Sequence, residues 1–589
     1  MTNFLKNVFA VLVALVLFTI LMGITLLSLI VSATKSDKEE HTGDKLVLKI
    51  KLDKEIIERE TDRFIAGEYL MGREHSSAGL LEITRAIDYA AKNEKVKGIY
   101  IELSSMQAGL ASLNELRNHI LEFKKTGKFV FAYGEYFSEG AYYLASAADS
   151  IILPPSGMIE FNGLNTELLF FKKTLEMLDV EVEVFKAGNY KSAVEPLTRE
   201  NMSDYNREQI RSFMNTINQH MLLDIAQSRN ISYEKLKNIS DSMLIHTPAQ
   251  AFNAGLITHV AYYDKIEECI RTKLKLSAKD KIPFISVHKL INESNKETYK
   301  NNKKNQIAVI YANGDIISGK GDEETIGSET LSNQIRKARN DENVKAIVLR
   351  VNSPGGSALA SDVIWREIML TKSTKPIIAS MSDVAASGGY YISMACDTIV
   401  SSPLTLTGSI GVFAVMLNIN KLLKNKLGIT TDRHSTGVFS DMGTPTREMK
   451  PYEKRLLQQE VDNIYNDFVE KAAKGRKTSF GKMNTHASGR VWSGIQAKDI
   501  GLIDVHGGLK RAIEIAAVKA SLPKDYVVSY WPESKSTLLK EIFAGFSEEY
   551  EDVSMKNQYN REYEFIKAIK NIKRYEGIQA RIPFEIKFR

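Results

Sequence analysis

Val344-Lys345-Ala346-Ile347-Val348-Leu349-Arg350-Val351-Asn352-Ser353-Pro354-Gly355-Gly356 is the stretch on which the fold turns. Ala346 to Val351 is a short run rich in β-branched residues and reads as a buried strand. It stops at Asn352-Ser353-Pro354-Gly355-Gly356, a turn signal. Ser361 to Leu370 follows with helical spacing, and Pro376-Ile377-Ile378-Ala379 reads as the next strand. Asp383 to Ala395 reads as a Gly/Ala-rich helix start, and Asp397 to Ser401 as a further strand. Alternation of this kind predicts an α/β fold with parallel strands.

The same stretch has a counterpart earlier in the chain. Val96-Lys97-Gly98-Ile99 matches Val344-Lys345-Ala346-Ile347, and Gly140-Ala141-Tyr142-Tyr143 matches Gly388-Gly389-Tyr390-Tyr391. Ala148-Asp149-Ser150-Ile151 resembles Cys396-Asp397-Thr398-Ile399, and Pro155 pairs with Pro403, all at one spacing of 248. Farther on, Asn253 to Ile257 resembles Lys498 to Ile503 at a spacing of 246. Several ungapped matches at one spacing imply one domain carried twice. The expected organisation is an N-terminal segment over 1–44, a first repeat over 45–275, a charged boundary region over 276–304, a second repeat over 305–520 and an extension over 521–589. The extension is rich in Lys, Glu and Tyr, reads as a helix with a final short strand, and shows no chemistry.

With 589 residues, the chain is too long for one ordinary core. Hydrophobic residues make up 43% and charged residues 25%, as in globular proteins, and a net charge of +6 is small for this length. It gives no reason to expect nucleic acid as a partner. Cys269 and Cys396 are far apart and in no metal-ligand spacing, so both read as core thiols. No charged residue occurs from Asn7 to Ala33, and Val8 to Val31 is almost wholly apolar. At 1.5 Å per residue such a helix exceeds the roughly 30 Å hydrocarbon core. It is also longer than a cleaved signal's apolar region, so a retained membrane anchor is expected, with the rest of the chain exported.

Subtracting one copy from the other singles out the chemistry. Ser409 sits in Thr407-Gly408-Ser409-Ile410-Gly411, whereas the first copy has Phe161 at that place. Gly355 and Gly356, whose N–H groups would suit an oxyanion hole, map to Gln107 and Ala108. A serine hydroxyl needs a base, and of the ten histidines none stands in a clear position beside Ser409; His434 reads as a solvated loop residue. The alternative base is Lys191, in Tyr190-Lys191-Ser192-Ala193-Val194-Glu195-Pro196, whose counterpart near Phe439 or Ser440 is not lysine. One copy therefore carries a candidate base and the other a candidate nucleophile. To work near neutral pH, Lys191 must lie below the free value of about 10.4, through burial and a neutral hydroxyl partner, for which Ser435 and Thr436 are candidates. Glu195 is expected to face elsewhere, because a carboxylate at the amine would keep it charged.

These motifs together resemble the long-form bacterial signal peptide peptidase A (protease IV) family, within the Clp/crotonase-like superfamily. Val351 to Gly356, Ala386-Ser387-Gly388-Gly389-Tyr390-Tyr391, Thr407 to Val412 and Tyr190 to Pro196 carry the resemblance, which covers roughly residues 45–520 and the anchor. It implies two tandem Clp/crotonase-like domains of repeated β-β-α units after a transmembrane helix, and a Ser–Lys dyad of Ser409 and Lys191. It also implies a bowl-shaped homotetramer in the bacterial inner membrane, with the catalytic domains on the periplasmic side, that cleaves remnant signal peptides and other apolar peptides. No metal or organic cofactor is implied. Ser387 occupies the place that resembles the nucleophile of the Clp protease. That enzyme pairs its serine with a histidine, and Thr407 to Val412 has none, so Ser387 is expected to be a small residue at a tight helix–strand contact. Two other functions remain compatible with this architecture: a crotonase-like acyl-CoA enzyme, and a non-catalytic membrane scaffold that binds peptides.

Overall fold

The structure, a computed structural model, describes scattered positions between residues 4 and 25, then residues 44–60, 79–104, 106–298, 304–322, 324–532 and 577–582. The membrane helix expected over 8–31 lies for the most part outside the described residues. Among the described residues no helix is long and apolar enough to cross a membrane.

The two repeats carry the same elements in the same order. Leu80–Lys92, Val96–Leu103, Leu110–Lys124, Phe129–Gly134 and Ser150–Leu153 recur as Ser328–Asn340, Val344–Ser353, Ala358–Lys372, Ile377–Ala386 and Thr398–Ser401. The long helix Asp204–Arg229 recurs as Pro451–Gly475. The first sheet runs in the order 259–260, 150–153, 129–134, 96–103, 46–52, 284–286, and its pairings are parallel. The second follows the same plan, with 344–353 between 306–313 and 377–386. Strands such as 344–353 are buried almost throughout, because helices cover both faces of a parallel sheet.

Three expectations change. The boundary region 276–304 is not a bare linker. Phe284–Ser286 adds a strand beside Leu46–Leu52, and Val287–Thr298 packs as a helix on Leu80–Lys92. In the second repeat Val527–Trp531 takes the same place beside Gln306–Asn313, so each domain closes on a strand past its expected end. The segment from Asp383 is not the start of a helix: Ile377–Ala386 is one continuous strand, and the short helix is Gly388–Ser393. Glycine and alanine composition does not separate a buried strand from a tightly packed helix, and here pairing with Leu406–Gly408 decides for the strand.

A further sheet joins the repeats. Its order is 325–327, 315–317, 355–357, 577–581, 412–418, 181–187. Glu181–Ala187 leaves the first repeat and pairs antiparallel with Val412–Asn418 of the second, Ala187 opposite Val412. A buried ion network also crosses between the halves. Arg350 Nε and Nη2 donate to Glu58 at 2.8 and 3.2 Å, and Nη2 donates to Glu115 at 2.8 Å. All three residues are buried, and Ser380 and Ser382 accept from the same guanidinium.

Candidate active site

The site forms where three chain segments end together. Ile377–Ala386 and Leu406–Gly408 are neighbouring parallel strands, with Ala386 opposite Gly408. The next residues, Ser387 and Ser409, therefore stand side by side at the strand tips. Both backbones turn sharply there, with φ of 55° at Ser387 and 50° at Ser409, a left-handed region that is unfavourable for serine and concentrated at functional sites. The Ser387 N–H donates to Gly408 O at 2.8 Å, and the Ser409 N–H donates to Arg490 O at 2.7 Å.

The third segment is the crossing strand Glu181–Ala187. Beyond it the chain turns at Gly188, where a Cβ would stand 2.4 Å from the backbone of Ser488. The Tyr190 N–H then donates to Ser488 O at 3.0 Å, and Lys191 follows, fully buried. Gly489 supports it from below, since a Cβ at that position would stand 2.7 Å from both Lys191 Cβ and Lys191 N.

Lys191 Nζ lies 2.7 Å from Ser387 Oγ, 3.1 Å from Ser409 Oγ and 3.3 Å from Ser409 O. The Phe413 ring centre is 6.0 Å away. Burial alone drives the amine well below the ordinary lysine value. Glu195 is turned away from it and accepts hydrogen bonds from the Ser203 N–H and from Asn206 Nδ2. The front and back halves of the chain thus supply an amine, held well below its ordinary pKa by burial, and two alcohols to one buried point.

The two serines differ in what else they touch. Ser409 Oγ donates to Gly489 O at 3.2 Å. Ser387 Oγ has Lys191 Nζ as its hydrogen-bond partner among the described residues. Ser435 does not reach the amine: it is exposed in the loop after residue 427, and the hydroxyls beside Nζ are those of Ser387 and Ser409. The loop's polar composition made Ser435 chemically plausible, but its place on the surface could not be read from sequence.

The glycine turn also divides in two. The Gly355 N–H donates to Ser353 Oγ at 3.2 Å and is spent within the turn. Gly356 lies in the strand Gly355–Ser357 and pairs antiparallel with the strand 577–581, opposite Ala580. Gly388 follows Ser387 and opens a short helix, whose first-turn N–H groups have no partner within the helix. Gly388 N stands 2.8 Å from the position of a Cβ on Gly355, so turn and helix start are in close approach. The first repeat lacks all of this: Glu139 stands where Ser387 does, and burial raises its carboxyl to about 7.

The want of a histidine after Ser387 does not leave its hydroxyl without a basic partner, because the Lys191 amine stands beside it. The usable signal was the same subtraction that selected Ser409. Ser387 also has no hydroxyl counterpart in the first copy, and two glycines follow it. Cys396 is buried, whereas Cys269, expected as a core thiol, is only partly buried and packs against the edge of the first repeat's core. Burial raises both thiols, and Cys396 lies in the second repeat's core.

The family model of peptidase family S49 matches residues 122–277 and again 369–523, one match in each repeat. The chain is 35% identical over 484 residues to the chloroplastic serine protease SPPA of Arabidopsis thaliana, covering 81% of this chain and 71% of that one. It is 33% identical over 492 residues to protease 4 of Haemophilus influenzae, covering 80% and 79%. It is 35% identical over 469 residues to protease 4 of Salmonella typhi, covering 78% and 75%. Matched in both repeats and along most of its length, the chain belongs to peptidase family S49 and is a serine peptidase.

Proposed function

We propose that the chain hydrolyses peptides through a serine–lysine pair in which Ser387 is the nucleophile, Lys191 the general base and Ser409 the hydroxyl that holds the base. This reverses the expected roles of the two serines. The observation that carries it is the partner set of one buried amine. A neutral amine has two N–H donors and one lone pair. Ser409 O can only accept, and Ser409 Oγ sends its own proton to Gly489 O, so these two use the N–H groups. The lone pair is left for Ser387, whose O–H is committed nowhere else among the described residues.

The reaction follows from that assignment. Lys191 takes the Ser387 proton as Oγ attacks the peptide carbonyl. The N–H groups of Gly356 and Gly388 meet the developing oxyanion, in place of the expected pair Gly355 and Gly356. The ammonium then protonates the leaving amine, and water resolves the acyl-enzyme by the same route in reverse. Desolvation lowers the amine's pKa well below the ordinary lysine value and so favours the uncharged base between turnovers.

The family resemblance extends this reading to a helix over 8–31 that anchors the chain in the bacterial inner membrane, with periplasmic catalytic domains. It also extends it to a homotetramer and to remnant signal peptides and other apolar peptides as substrates. The deciding experiment is labelling with a fluorophosphonate, followed by peptide mapping. An adduct on Ser387 that disappears in Lys191→Ala is expected. An adduct on Ser409 would restore the original assignment, and none on either would favour a peptide-binding scaffold.

A further inference from the structure

A strand from this chain's own C-terminal region lies against Gly355 and Gly388, beside Ser387. Gly577–Arg581 runs antiparallel to Gly355–Ser357 on one side, with Gly355 opposite Arg581, Gly356 opposite Ala580 and Ser357 opposite Gln579. On its other side it runs antiparallel to Val412–Asn418, with Phe413 opposite Gln579 and Ala414 opposite Ile578. The Ile582 N–H donates to Pro354 O at 2.9 Å, which makes Pro354 and Ile582 a hydrogen-bonded pair. Such pairs alternate along an antiparallel ladder, so the next is Gly356 with Ala580. The Gly356 N–H is thereby aimed at the Ala580 carbonyl. Ala580 O lies 1.9 Å from the position of a Cβ on Gly355 and 3.2 Å from one on Gly388, so glycine at these places admits that carbonyl. Gln579, Ala580, Arg581 and Ile582 are all buried, and Arg581 Nη1 donates to Asp315 Oδ2 at 2.8 Å.

An extended peptide whose carbonyl faces the N–H assigned to the oxyanion is what a substrate would present. We propose that residues 577–582 hold the substrate's place in cis, as an internal strand that an incoming peptide must displace, so that the chain restrains its own peptidase activity. The idea rests on the Ser387–Lys191 reading for its link to activity. A tethered strand needs little intrinsic affinity, because its effective concentration is on the order of millimolar. The same slot defines the competing ligand: an extended peptide with a small residue opposite Gly356, followed by a basic residue facing Asp315.

The test separates occupancy from catalysis. A fluorescent peptide with the sequence of residues 577–582 is titrated into the Ser387→Ala chain, both full-length and ending at residue 576, and binding is read by anisotropy. Binding at least tenfold tighter to the shortened chain is expected, and equal binding overturns the proposal whatever the nucleophile is. If occupancy differs while Ser387→Ala still hydrolyses peptides, the nucleophile assignment fails and the internal strand stands. Full-length Ala580→Trp, too large for its buried position, guards against misfolding of the shortened chain. It should bind the peptide as the shortened chain does and, with Ser387 present, show a tenfold lower KM for peptide substrates. An unchanged KM and unchanged binding in a folded Ala580→Trp chain would also overturn the proposal.

Discussion

Lys191 Nζ lies 2.7 Å from Ser387 Oγ although 196 positions separate the two residues along the chain. The contact exists because a strand of the first repeat crosses to pair with a strand of the second, delivering Lys191 at the tips of two parallel strands. Each half alone lacks a complete site.

If Ser387 is the nucleophile, Ser387→Ala removes the covalent step and should lower kcat/KM by at least about 10³-fold. Ser409→Ala removes one acceptor from the amine. At about 1–3 kcal/mol for a buried hydrogen bond, it should cost roughly 10- to 10²-fold and leave Ser387 open to fluorophosphonate. It should also move the acid limb of the pH profile to lower pH, because the ammonium form loses a partner. Steady-state kinetics of both variants on one peptide would reverse the roles if the larger loss fell on Ser409→Ala.

The base carries a pH signature with a definite sign. Protonated Lys191 cannot accept from Ser387, so kcat/KM should fall as pH drops through its depressed pKa. Between that value and the ordinary 10.5, the unfolded chain binds a proton that the folded chain does not. This group's contribution to stability therefore rises with pH across that window. Lys191→Met, inactive, should consequently raise the unfolding temperature, with a gain that shrinks as pH rises toward 10.5. Calorimetry at several pH values checks this, and a gain that grows with pH would contradict a neutral buried amine.

Gly489 is predicted to be intolerant of any side chain. Its φ is +78°, and an added Cβ would stand 2.7 Å from Lys191 Cβ and Lys191 N, where backbone cannot yield cheaply. Gly489→Ala should destabilise the fold by about 1–3 kcal/mol. By displacing the base it should also lower kcat about 10²-fold. Denaturant titration and single-turnover hydrolysis separate the two effects.

Arg350 should matter to stability far more than its distance from the reacting atoms suggests. It is the shared partner of buried Glu58 and Glu115, so Arg350→Met leaves two carboxylates in the interior. A loss of about 3–5 kcal/mol is expected. Adding Glu58→Gln and Glu115→Gln should recover much of it, measured as the denaturation midpoint of the triple variant against the single one.

The sequence by itself determined the duplication, the α/β class and the short list of chemistry. One copy holds Lys191 without a counterpart, and the other holds Ser387, followed by two glycines, and Ser409, set between Gly408 and Gly411. Subtraction could not rank the two serines, because both are unmatched and both lie in glycine-rich turns. What distinguishes them appears only in the tertiary structure, because it lies in how two protons and one lone pair find partners around a single nitrogen. The same holds for Ser435, polar like the others but left at the surface, and for residues 577–582. Strand pairing is a contact between distant segments, and nothing local in Gly577-Ile578-Gln579-Ala580-Arg581-Ile582 states which edge it will join.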